Sequence, residues 1–224
     1  MSAAPVLAVD GPGGAGKGTL CRRMAERLGW QLLDSGALYR LVAVAAADAG
    51  TALDDETGLA ALARDLPARF SGTRVLLGGR DVSDEIRTED CGERASRVAA
   101  LPAVRTALVG LQRGFRRPPG LVADGRDMGT VIFPDAELKV FLTASAEERA
   151  MRRYKQLKEK GFDVNLAALS AEVAARDRRD AERAVAPLRP APDAYVLDST
   201  ELSIDAVVEA VLEEMRRRGL ASAG

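Results

Sequence analysis

The sequence predicts an α/β protein built on a doubly wound parallel sheet, and three observations support this fold class. Short apolar runs typical of buried strands alternate with helical patterns along most of the 224 residues. The first run, residues 6–10, leads into a glycine-rich loop and then into a helix. Residues 68–87 instead alternate in polarity between glycines, which predicts a small antiparallel insertion in the α/β core.

Local signals place the individual elements. Apolar residues within 20–28 recur at helical spacing and predict a helix directly after the glycine-rich loop. Pro102 precedes a helical pattern, and Gly161 interrupts a long charged helical pattern. Ser203 is a typical N-cap residue for the last helix. Strands are predicted at 6–10, 30–33, 120–124, 138–142 and 195–198. Helices are predicted at 20–28, 37–43, 89–100, 103–115, 146–160, from 166 onward, and 203–217, and residues 51–66 are predicted to begin as a polar segment and continue as a helix.

Composition and charge exclude several classes of function. With a net charge of −1, the chain offers no bulk attraction for long nucleic acids. The apolar stretches are shorter than a membrane span and no signal peptide precedes the first strand, so we expect no membrane partner and a cytoplasmic location. Two cysteines form neither a disulfide framework nor a zinc site. A hydrophobic content of 47% supports one good core, and we expect a monomer with a single domain over residues 1–224.

Residues 11–19, Gly-Pro-Gly-Gly-Ala-Gly-Lys-Gly-Thr, predict a phosphate-binding loop (P-loop). Glycines let the backbone approach an anion, N–H groups at the helix start point at phosphate oxygens, and Lys17 adds a positive charge. Gly18 follows the lysine, so the hydroxyl of the strict Gly-x-x-x-x-Gly-Lys-Ser/Thr pattern is delayed to Thr19. A structural turn is the alternative to a nucleoside-triphosphate site. The predicted nucleotide-binding residues are Gly11, Pro12, Gly13, Gly14, Ala15, Gly16, Lys17, Gly18 and Thr19.

A carboxylate at the end of a later strand supports a magnesium site. Asp124 closes the apolar run Leu-Val-Ala, and a carboxylate in this position orients Mg²⁺ in P-loop enzymes. Because Mg²⁺ keeps several of its waters, Thr19 and Asp124 suffice as its protein ligands. Taken on its own, Asp124 is equally well explained as a turn residue.

Arginines form two clusters on helices that flank the break at Gly161. The sequence has 27 arginines and five lysines, a bias for which a GC-rich coding genome is the simplest explanation. Arginine is nevertheless the better fork for phosphate oxygens, and two arginine-rich helices can close over a triphosphate as a lid. The alternative for each arginine is a solvated helix face. The clusters are Arg149, Arg152 and Arg153 on the first helix and Arg176, Arg178, Arg179 and Arg183 on the second.

The absence of histidine constrains the acceptor of a phosphoryl group. Attack by an alcohol benefits from a base that takes its proton, and Asp127 could serve as that base. A phosphate monoester, with a second pKa of about 6, is already a nucleophile at neutral pH. Such an acceptor needs arginines to hold it and no general base.

With these residues assembled, the chain resembles the bacterial cytidylate kinases, within the nucleoside-monophosphate kinase family, over nearly its whole length. Adenylate and guanylate kinases share the loop but lack the segment Asp-Gly-Arg-Asp-Met-Gly-Thr. Five segments in the same order carry the resemblance: 10–19, 33–40, 81–87, 123–130 and 183–188.

The resemblance implies both a fold and a reaction. The fold is a P-loop kinase of nucleoside-monophosphate kinase type. It would have a monophosphate-binding region of about 36–100, which contains the antiparallel insertion, and a separate short helical lid of about 149–180. The reaction is transfer of a phosphoryl group from ATP, with Mg²⁺, to CMP or dCMP as small-molecule acceptors.

The resemblance also implies roles for individual residues. Residues near the acceptor monophosphate and its base would be Ser35, Tyr39 and Arg40. Residues that read the cytosine edge would be Ser96, Arg105 and Asp127. Arg126 would hold the acceptor phosphate, Arg176 and Asp180 its sugar, and Arg183 a phosphate near the transfer point. The implied catalytic residues are Lys17, Arg126, Arg153, Arg176 and Arg183.

Two other hypotheses remain beside this one. A kinase acting on another monophosphate, or on a small hydroxyl substrate, would use the same loop. A nucleotide-dependent switch or motor is disfavoured because the guanine-reading Asn-Lys-x-Asp motif is absent and Asn165 is the only asparagine. With 4% aromatic residues, no basic groove with interleaved aromatics indicates a nucleic-acid partner.

Overall fold

Strands and helices alternate as predicted. The structure is a computed structural model that describes residues 3–71, 74–159 and 161–220. In these ranges the strands are β1 (Val6–Asp10), β2 (Gln31–Asp34), β3 (Ala68–Ser71), β4 (Arg74–Leu77), β5 (Arg80–Asp81), β6 (Leu121–Gly125), β7 (Leu138–Thr143) and β8 (Tyr195–Asp198). The α-helices are α1 (Lys17–Leu28), α2 (Ser35–Asp48), α3 (Glu56–Arg64), α4 (Glu89–Val98), α5 (Pro102–Arg113), α6 (Ala146–Glu159), α7 (Leu166–Ala181) and α8 (Ile204–Arg217). Residue 160, to which the prediction extended the sixth helix, lies outside the described residues.

Strand β1 lies at the centre of the main sheet, between β6 and β7. In the described part of the chain this sheet has five strands in the order β2–β6–β1–β7–β8. β1 runs parallel to both neighbours, and β7 runs parallel to β8. The register pairs Val9 with Asp124 and Asp10 with Gly125, so β1 and β6 end at the same edge. The predicted doubly wound parallel sheet is therefore confirmed.

Helices α1 and α8 cover apolar side chains of this sheet. In α1, Leu20 and Met24 recur at helical spacing, and both are fully buried. Val211 and Met215 repeat the spacing in α8, and all four belong to one cluster with Leu7 of β1. Removing apolar surface from water contributes roughly 25 cal/mol per Å², so this cluster holds the helix that follows the glycine-rich loop firmly against the sheet.

The described chain forms two compact units. One is Asp34–Gly114, and the other consists of the described parts of Met1–Leu33 and Phe115–Gly224. Within Asp34–Gly114, α2 packs on α4 and α3 packs on α5. β3, β4 and β5 form an antiparallel sheet in the same unit, with Phe70 paired to Val75. The predicted antiparallel insertion is thereby confirmed.

The caps and first residues of the helices agree with the signals in the sequence, but one helical turn was not predicted. Ser203 Oγ accepts a hydrogen bond from the Ala206 N–H at 3.2 Å and caps α8. Pro102 is the first residue of α5, where its missing N–H is harmless. A π-helical turn at Met128–Ile132 was not predicted, because its glycine and β-branched residues have low helix propensity.

The helices are short compared with the thickness of a membrane. α7, with 16 residues, is the longest α-helix in the described ranges, and its sequence carries several charges. About 20 apolar residues are needed to cross the hydrocarbon core of a bilayer. Within residues 3–71, 74–159 and 161–220, no helix is long and apolar enough to do so.

The contact between Gly120 and Trp30 predicts a large effect of a small substitution. A Cβ at Gly120 would lie 2.3 Å from Cδ2 of the Trp30 ring, and the Gly120 carbonyl accepts a hydrogen bond from the Gln31 N–H at 2.8 Å. The backbone is therefore held where the added methyl group clashes. We expect Gly120→Ala to lower the free energy of unfolding by about 1–3 kcal/mol, measured by urea denaturation.

Gly110 provides the matched control for this variant. It lies inside α5, and a Cβ there would meet no heavy atom of the described residues within 4 Å. Gly110→Ala should therefore raise the free energy of unfolding by about 0.5–1 kcal/mol. Destabilisation of similar size in both variants would show that close packing at Gly120 is not the cause.

Candidate active site

Lys17, the first residue of α1, is buried beneath the loop that precedes it. Only 5% of the residue is exposed, and its Nζ donates a hydrogen bond to the carbonyl oxygen of Pro12 at 2.8 Å. Burial, assisted by the positive charge of Arg126 and opposed by Asp124, lowers the pKa of Lys17 to about 8. The ammonium group thus carries a charge that an approaching anion would stabilise.

The loop backbone adopts conformations that glycine tolerates best. Gly11 has a φ of +148°, and a Cβ there would lie 1.9 Å from the carbonyl oxygen of Leu142. Gly16, with a φ of +96°, is the N-cap of α1 and has no side chain to occupy the N–H groups of the first turn. Unoccupied N–H groups at a helix start are a site for anions.

Asp124 lies against the first turn of α1. A Cβ at Gly18 would lie 3.5 Å from Asp124 Oδ2, and Thr19 is the next residue of that turn. A hydroxyl and a carboxylate are both oxygen donors, the type that Mg²⁺ prefers, and Mg²⁺ takes few ligands from the protein itself. These residues therefore fit a magnesium ion. In the described ranges, no group of three or more His, Cys, Asp or Glu residues could hold a metal ion.

Asp180 of α7 is buried between two guanidinium groups. Its side chain is 1% exposed, its Oδ2 accepts a hydrogen bond from Arg126 Nε at 2.9 Å, and its Oδ1 accepts one from Arg183 Nη2. Burial alone would raise the pKa of Asp180, but the two arginines outweigh burial and hold this pKa below its usual value. The carboxylate therefore remains ionised and holds both arginines in place.

Arg126 and Arg176 stand beside the loop. A Cβ at Gly13 would lie 3.5 Å from Arg126 Nη2 and 3.7 Å from Arg176 Nε. After burial, the positive charges of both arginines also contribute to the lowered pKa of Lys17. Arg176 and Asp180 lie one turn apart on α7, so a single helix face supplies both groups.

Asp127 follows Arg126 directly and is 3% exposed. The chain after it is anchored by Asp10, whose Oδ1 and Oδ2 accept hydrogen bonds from the Met128 and Gly129 N–H groups, each at 2.8 Å. Burial, reinforced by the charge of Asp127 and opposed by the two backbone hydrogen bonds, raises the pKa of Asp10 to about 6. Asp10 thus connects the strand before the P-loop to the segment that holds Arg126 and Asp127.

Two arginines of α6 bind carbonyl groups of the P-loop. Arg149 Nη1 donates to the Gly13 carbonyl at 3.1 Å, and Arg152 Nη1 donates to the Ala15 carbonyl at 3.4 Å. Arg149 also forms a two-point ion pair with Asp177 of α7, at 3.0 and 2.6 Å. The side chain of Arg149 is 5% exposed and that of Asp177 is 30% exposed, so this pair links the loop, α6 and α7 in a partly buried network.

Arg153, the α6 residue that the sequence suggested as catalytic, has different surroundings. It is half-buried and donates a hydrogen bond from Nη1 to Gln156 Oε1 at 3.3 Å, one turn along the same helix. Its role in catalysis stays a prediction.

In the unit Asp34–Gly114, helix α2 carries Ser35, Tyr39 and Arg40. Ser35 and Tyr39 are buried, and the Arg105 guanidinium lies 5.7 Å from the centre of the Tyr39 ring. This contact joins Tyr39 of α2 and Arg105 of α5, two residues for which the family resemblance implies a role at the acceptor.

Ser96 and Arg40 complete the set of predicted residues in this unit. Ser96 is 4% exposed, and its Oγ has no hydrogen-bond partner among the described residues. A buried hydroxyl left unpaired costs free energy, which favours a group that bonds a ligand. Arg40 Nη1 donates to the carbonyl oxygen of Ile86 at 2.6 Å, so its guanidinium is oriented by the protein.

Sequence reasoning missed several residues that build the site. No role was assigned there to Asp10, to the Arg149–Asp177 pair, or to Ser199, whose Oγ donates to the Ala15 carbonyl at 3.1 Å. Asp10 and Ser199 each lie at or just after the end of a strand in the parallel sheet. The rule that ligand sites form at the carboxyl ends of such strands was the signal that could have found them.

The fold and the site together define a class of protein. The central strand β1 runs into the glycine-rich loop, and the neighbouring strand β6 ends beside the first turn of α1. This placement is that of the P-loop proteins, which bind nucleotide phosphates at the carboxyl edge of a parallel sheet. The arginines beside the loop add the charge that phosphoryl transfer requires, so the chain is a P-loop phosphotransferase.

Comparison with known proteins gives the family. A family model described as cytidylate kinase matches residues 7–217. A cytidylate kinase from Methylococcus capsulatus is 63% identical over 211 residues, covering 93% of this chain and 95% of that protein. A cytidylate kinase from Pseudomonas aeruginosa is 60% identical, covering 97% of both chains, and one from Pseudomonas savastanoi pv. phaseolicola is 59% identical, covering 97% and 98%. The chain belongs to the cytidylate kinase family and is therefore a nucleoside-monophosphate kinase that uses ATP as the phosphate donor.

The lowered pKa of Lys17 predicts that ATP binding takes up protons. An ATP phosphate beside the ammonium group would raise its pKa again, so binding at pH 8 should be accompanied by uptake of about half a proton. Isothermal titration calorimetry in buffers of different ionisation enthalpy measures this quantity.

Lys17→Arg is the control, because a guanidinium stays charged throughout this pH range. The uptake at pH 8 should disappear in that variant. Equal uptake in the two proteins would assign the proton to another group.

Proposed function

We propose that this chain transfers the γ-phosphoryl group of ATP to CMP and dCMP. A phosphate oxygen of the acceptor forms the new bond to the γ-phosphorus, the bond from that phosphorus to the β–γ bridging oxygen breaks, and ADP leaves with that oxygen. The products are ADP and CDP or dCDP. The substrate follows from family membership, and the transfer from the arginines that Asp180 holds beside the P-loop.

The arginine cluster is the observation that carries the chemistry. Two phosphate groups that approach one another repel, and positive charge near both is needed to bring the reacting atoms close. Arg126 and Arg176 lie near Gly13 of the loop, while Arg183 shares the Asp180 carboxylate with Arg126. Held in this way, the guanidinium groups need little rearrangement before transfer.

No general base is required for this reaction. The chain contains no histidine, and the acceptor phosphate, with a second pKa of about 6, is largely a dianion at neutral pH. Its oxygen can attack without losing a proton to the protein. Asp127 is therefore proposed to recognise the exocyclic amine of cytosine, because the amine donates hydrogen bonds and a carboxylate oxygen accepts them.

The donor side uses the loop and Lys17. The backbone of residues Gly11 to Thr19 would cradle the ATP phosphates, and Lys17 would neutralise their charge. Thr19 and Asp124 are the residues proposed to hold Mg²⁺, which when bound would neutralise negative charge on the phosphates. Arg153 is proposed to act from a lid of about 149–180, whose closure would also exclude water.

On the acceptor side, each residue that the family resemblance singled out is proposed to have one role. Arg126 would bind the acceptor phosphate, Arg176 and Asp180 the sugar, and Arg183 a phosphate near the transfer point. The monophosphate-binding region of about 36–100 would supply the rest. Its residues, with Ser35 and Arg105 just outside the range, are proposed to contact the base and monophosphate: Ser35, Tyr39, Arg40, Ser96 and Arg105.

We further propose that the enzyme acts as a monomeric single kinase domain in the cytoplasm, without nucleic-acid or membrane partners. The net charge of −1 supports the lack of nucleic-acid binding, because nothing in the bulk charge attracts a polyanion.

The acceptor is tested by an ADP-release assay with ATP and Mg²⁺ against CMP, dCMP, UMP, AMP, GMP and shikimate. We expect turnover with CMP and dCMP to exceed that with every other acceptor, and hydrolysis of ATP without acceptor to be slow, because closure excludes water. Preference for a different monophosphate would retain the donor site but refute the assignments of Ser96, Arg105 and Asp127. Rapid hydrolysis without any acceptor would instead indicate a nucleotide switch.

The metal assignment is tested by Asp124→Asn. The amide is a weaker oxygen ligand for Mg²⁺, so we expect the Mg²⁺ concentration for half-maximal activity to rise about tenfold or more. Asp65→Asn, an exposed acidic residue just after α3, is the control and should leave the Mg²⁺ requirement unchanged. An unaltered requirement in Asp124→Asn would remove this residue from the metal site.

A further inference from the structure

The carbonyl oxygen of Ala15, inside the P-loop, accepts hydrogen bonds from two side chains that lie far along the chain. Ser199 Oγ donates to it at 3.1 Å, and Arg152 Nη1 donates to it at 3.4 Å. Ser199 directly follows the end of β8 and is 2% exposed, while Arg152 belongs to α6. A loop suited to bind anions through its N–H groups therefore also has a carbonyl group that is held by other parts of the fold.

Holding this oxygen fixes the direction of the next N–H group. The peptide bond between Ala15 and Gly16 is trans and planar, so its C=O and N–H groups point in opposite directions. With the Ala15 oxygen held toward Ser199, the Gly16 N–H points away from Ser199. The other end of Gly16 is held as well, because its carbonyl oxygen accepts a hydrogen bond from the Leu20 N–H of α1 at 3.0 Å.

The conformational freedom of Gly16 makes this anchor important. Rotation of the peptide between Ala15 and Gly16 changes mainly ψ of Ala15 and φ of Gly16, and glycine adopts positive and negative φ about equally readily. The φ of +96° is therefore one of several values open to Gly16. Because no side chain at this position limits the rotation, the restraint comes from the groups that hold the Ala15 oxygen.

Ser199 is itself held by its backbone. Its N–H donates to the Thr143 carbonyl at the end of β7 at 2.8 Å, and its carbonyl oxygen accepts from Arg152 Nη2 at 2.6 Å. The hydroxyl carries a single proton and also lies 3.0 Å from the Thr143 carbonyl, which already accepts the Ser199 N–H. The Ala15 carbonyl is therefore the acceptor that gains more from the hydroxyl, and β7 and β8 do not need it to stay together.

Arg152 is directed at the loop backbone and at the residue that anchors it. Its Nε donates to Glu148 Oε1 at 2.8 Å, one turn earlier on α6, and its Nη1 also donates to Ser199 Oγ at 3.2 Å. A guanidinium group is planar and presents its N–H groups in fixed directions. These protein oxygens therefore orient Arg152 as a support for Ser199 and Ala15.

We propose that Ser199, supported by Arg152, is a positioning residue for the phosphate donor: by holding the Ala15 carbonyl, it turns the Gly16 N–H toward the phosphates of ATP. An N–H group at the start of a helix is a favourable partner for an anion. This inference rests on the part of the proposed function in which the P-loop cradles the ATP phosphates, and it does not depend on which monophosphate is the acceptor.

The test is Ser199→Ala, which removes the hydroxyl and keeps the backbone contacts of the residue. Without this hydrogen bond the Gly16 N–H is turned toward ATP for less of the time, so we expect the KM for ATP to rise about three- to tenfold, while the KM for CMP changes less than about twofold. Inorganic tripolyphosphate, used as a competitor of ATP, should bind more weakly by the same factor, because the defect lies in phosphate binding.

The direction of the Gly16 N–H has a spectroscopic readout. In NMR spectra of the isotope-labelled protein, ATP should shift the Gly16 amide proton downfield, because the N–H donates to a charged oxygen. The shift should be smaller in Ser199→Ala. Equal shifts in the two proteins would show that the Gly16 N–H keeps its direction without the hydroxyl, and would overturn the inference.

Two comparisons separate positioning from a general structural effect. Ser203→Ala also removes a hydroxyl that bonds the backbone, here the cap of α8, so it should lower the unfolding temperature and leave the KM for ATP unchanged. Ser199→Thr and Ser199→Val have side chains of the same shape and differ in one hydroxyl. The KM for ATP should be about threefold or more higher in Ser199→Val than in Ser199→Thr, and this pair replaces Ser199→Ala if that variant does not fold.

The outcomes distinguish this inference from the proposed function. An unchanged KM for ATP in Ser199→Ala, or an equal rise for ATP and CMP, overturns the positioning role and leaves the proposed function standing. A rise for ATP with unchanged binding of tripolyphosphate also overturns it, because the hydroxyl would then act on another part of the nucleotide. If the unaltered enzyme phosphorylates a different acceptor and not CMP, the proposed function is wrong, and the same comparison with that acceptor still tests Ser199.

Discussion

The parallel register of β1 with its neighbours is the constraint on which the site depends. It places Asp10 beside Gly125 of β6 and Phe141 of β7, so three segments of chain leave the sheet at one edge. The P-loop follows the first of these strands, and Arg126 and Asp127 follow the second. Shifting this register would separate the Asp10 carboxylate from the N–H groups that it binds.

Charge balance at this edge explains why the site suits phosphates. Burial of Lys17, assisted by the positive charges of Arg126 and Arg176, lowers the pKa of its ammonium group. Asp124 and Asp180 offset part of that charge, and Asp180 also fixes the direction of the Arg126 side chain. The remaining positive charge lies beside the P-loop, where it would stabilise bound anionic phosphates.

Helices α6 and α7, which follow β7, are bonded to the P-loop and to one another. Arg149 ties the Gly13 carbonyl to Asp177, so α6, α7 and the loop are joined by hydrogen bonds as well as by packing. Because Asp177 and Asp180 lie one turn apart on α7, the helix that anchors Arg149 also holds the arginines beside the loop. The P-loop and the placement of α7 are thereby linked through one partly buried ion pair.

The sequence by itself determined the order of strands and helices, the antiparallel insertion and the P-loop with Lys17, because these depend on periodicity and on local glycine geometry. It also marked Asp124 and the arginines as candidates, since strand ends and charge clusters are visible in a linear chain. Only the tertiary structure decided that Asp180 pairs with Arg126, that Arg149 binds the loop, and that Asp10 caps the turn after Asp127. These contacts join residues 54 or more positions apart, and such pairings follow from packing and register, which no local pattern encodes.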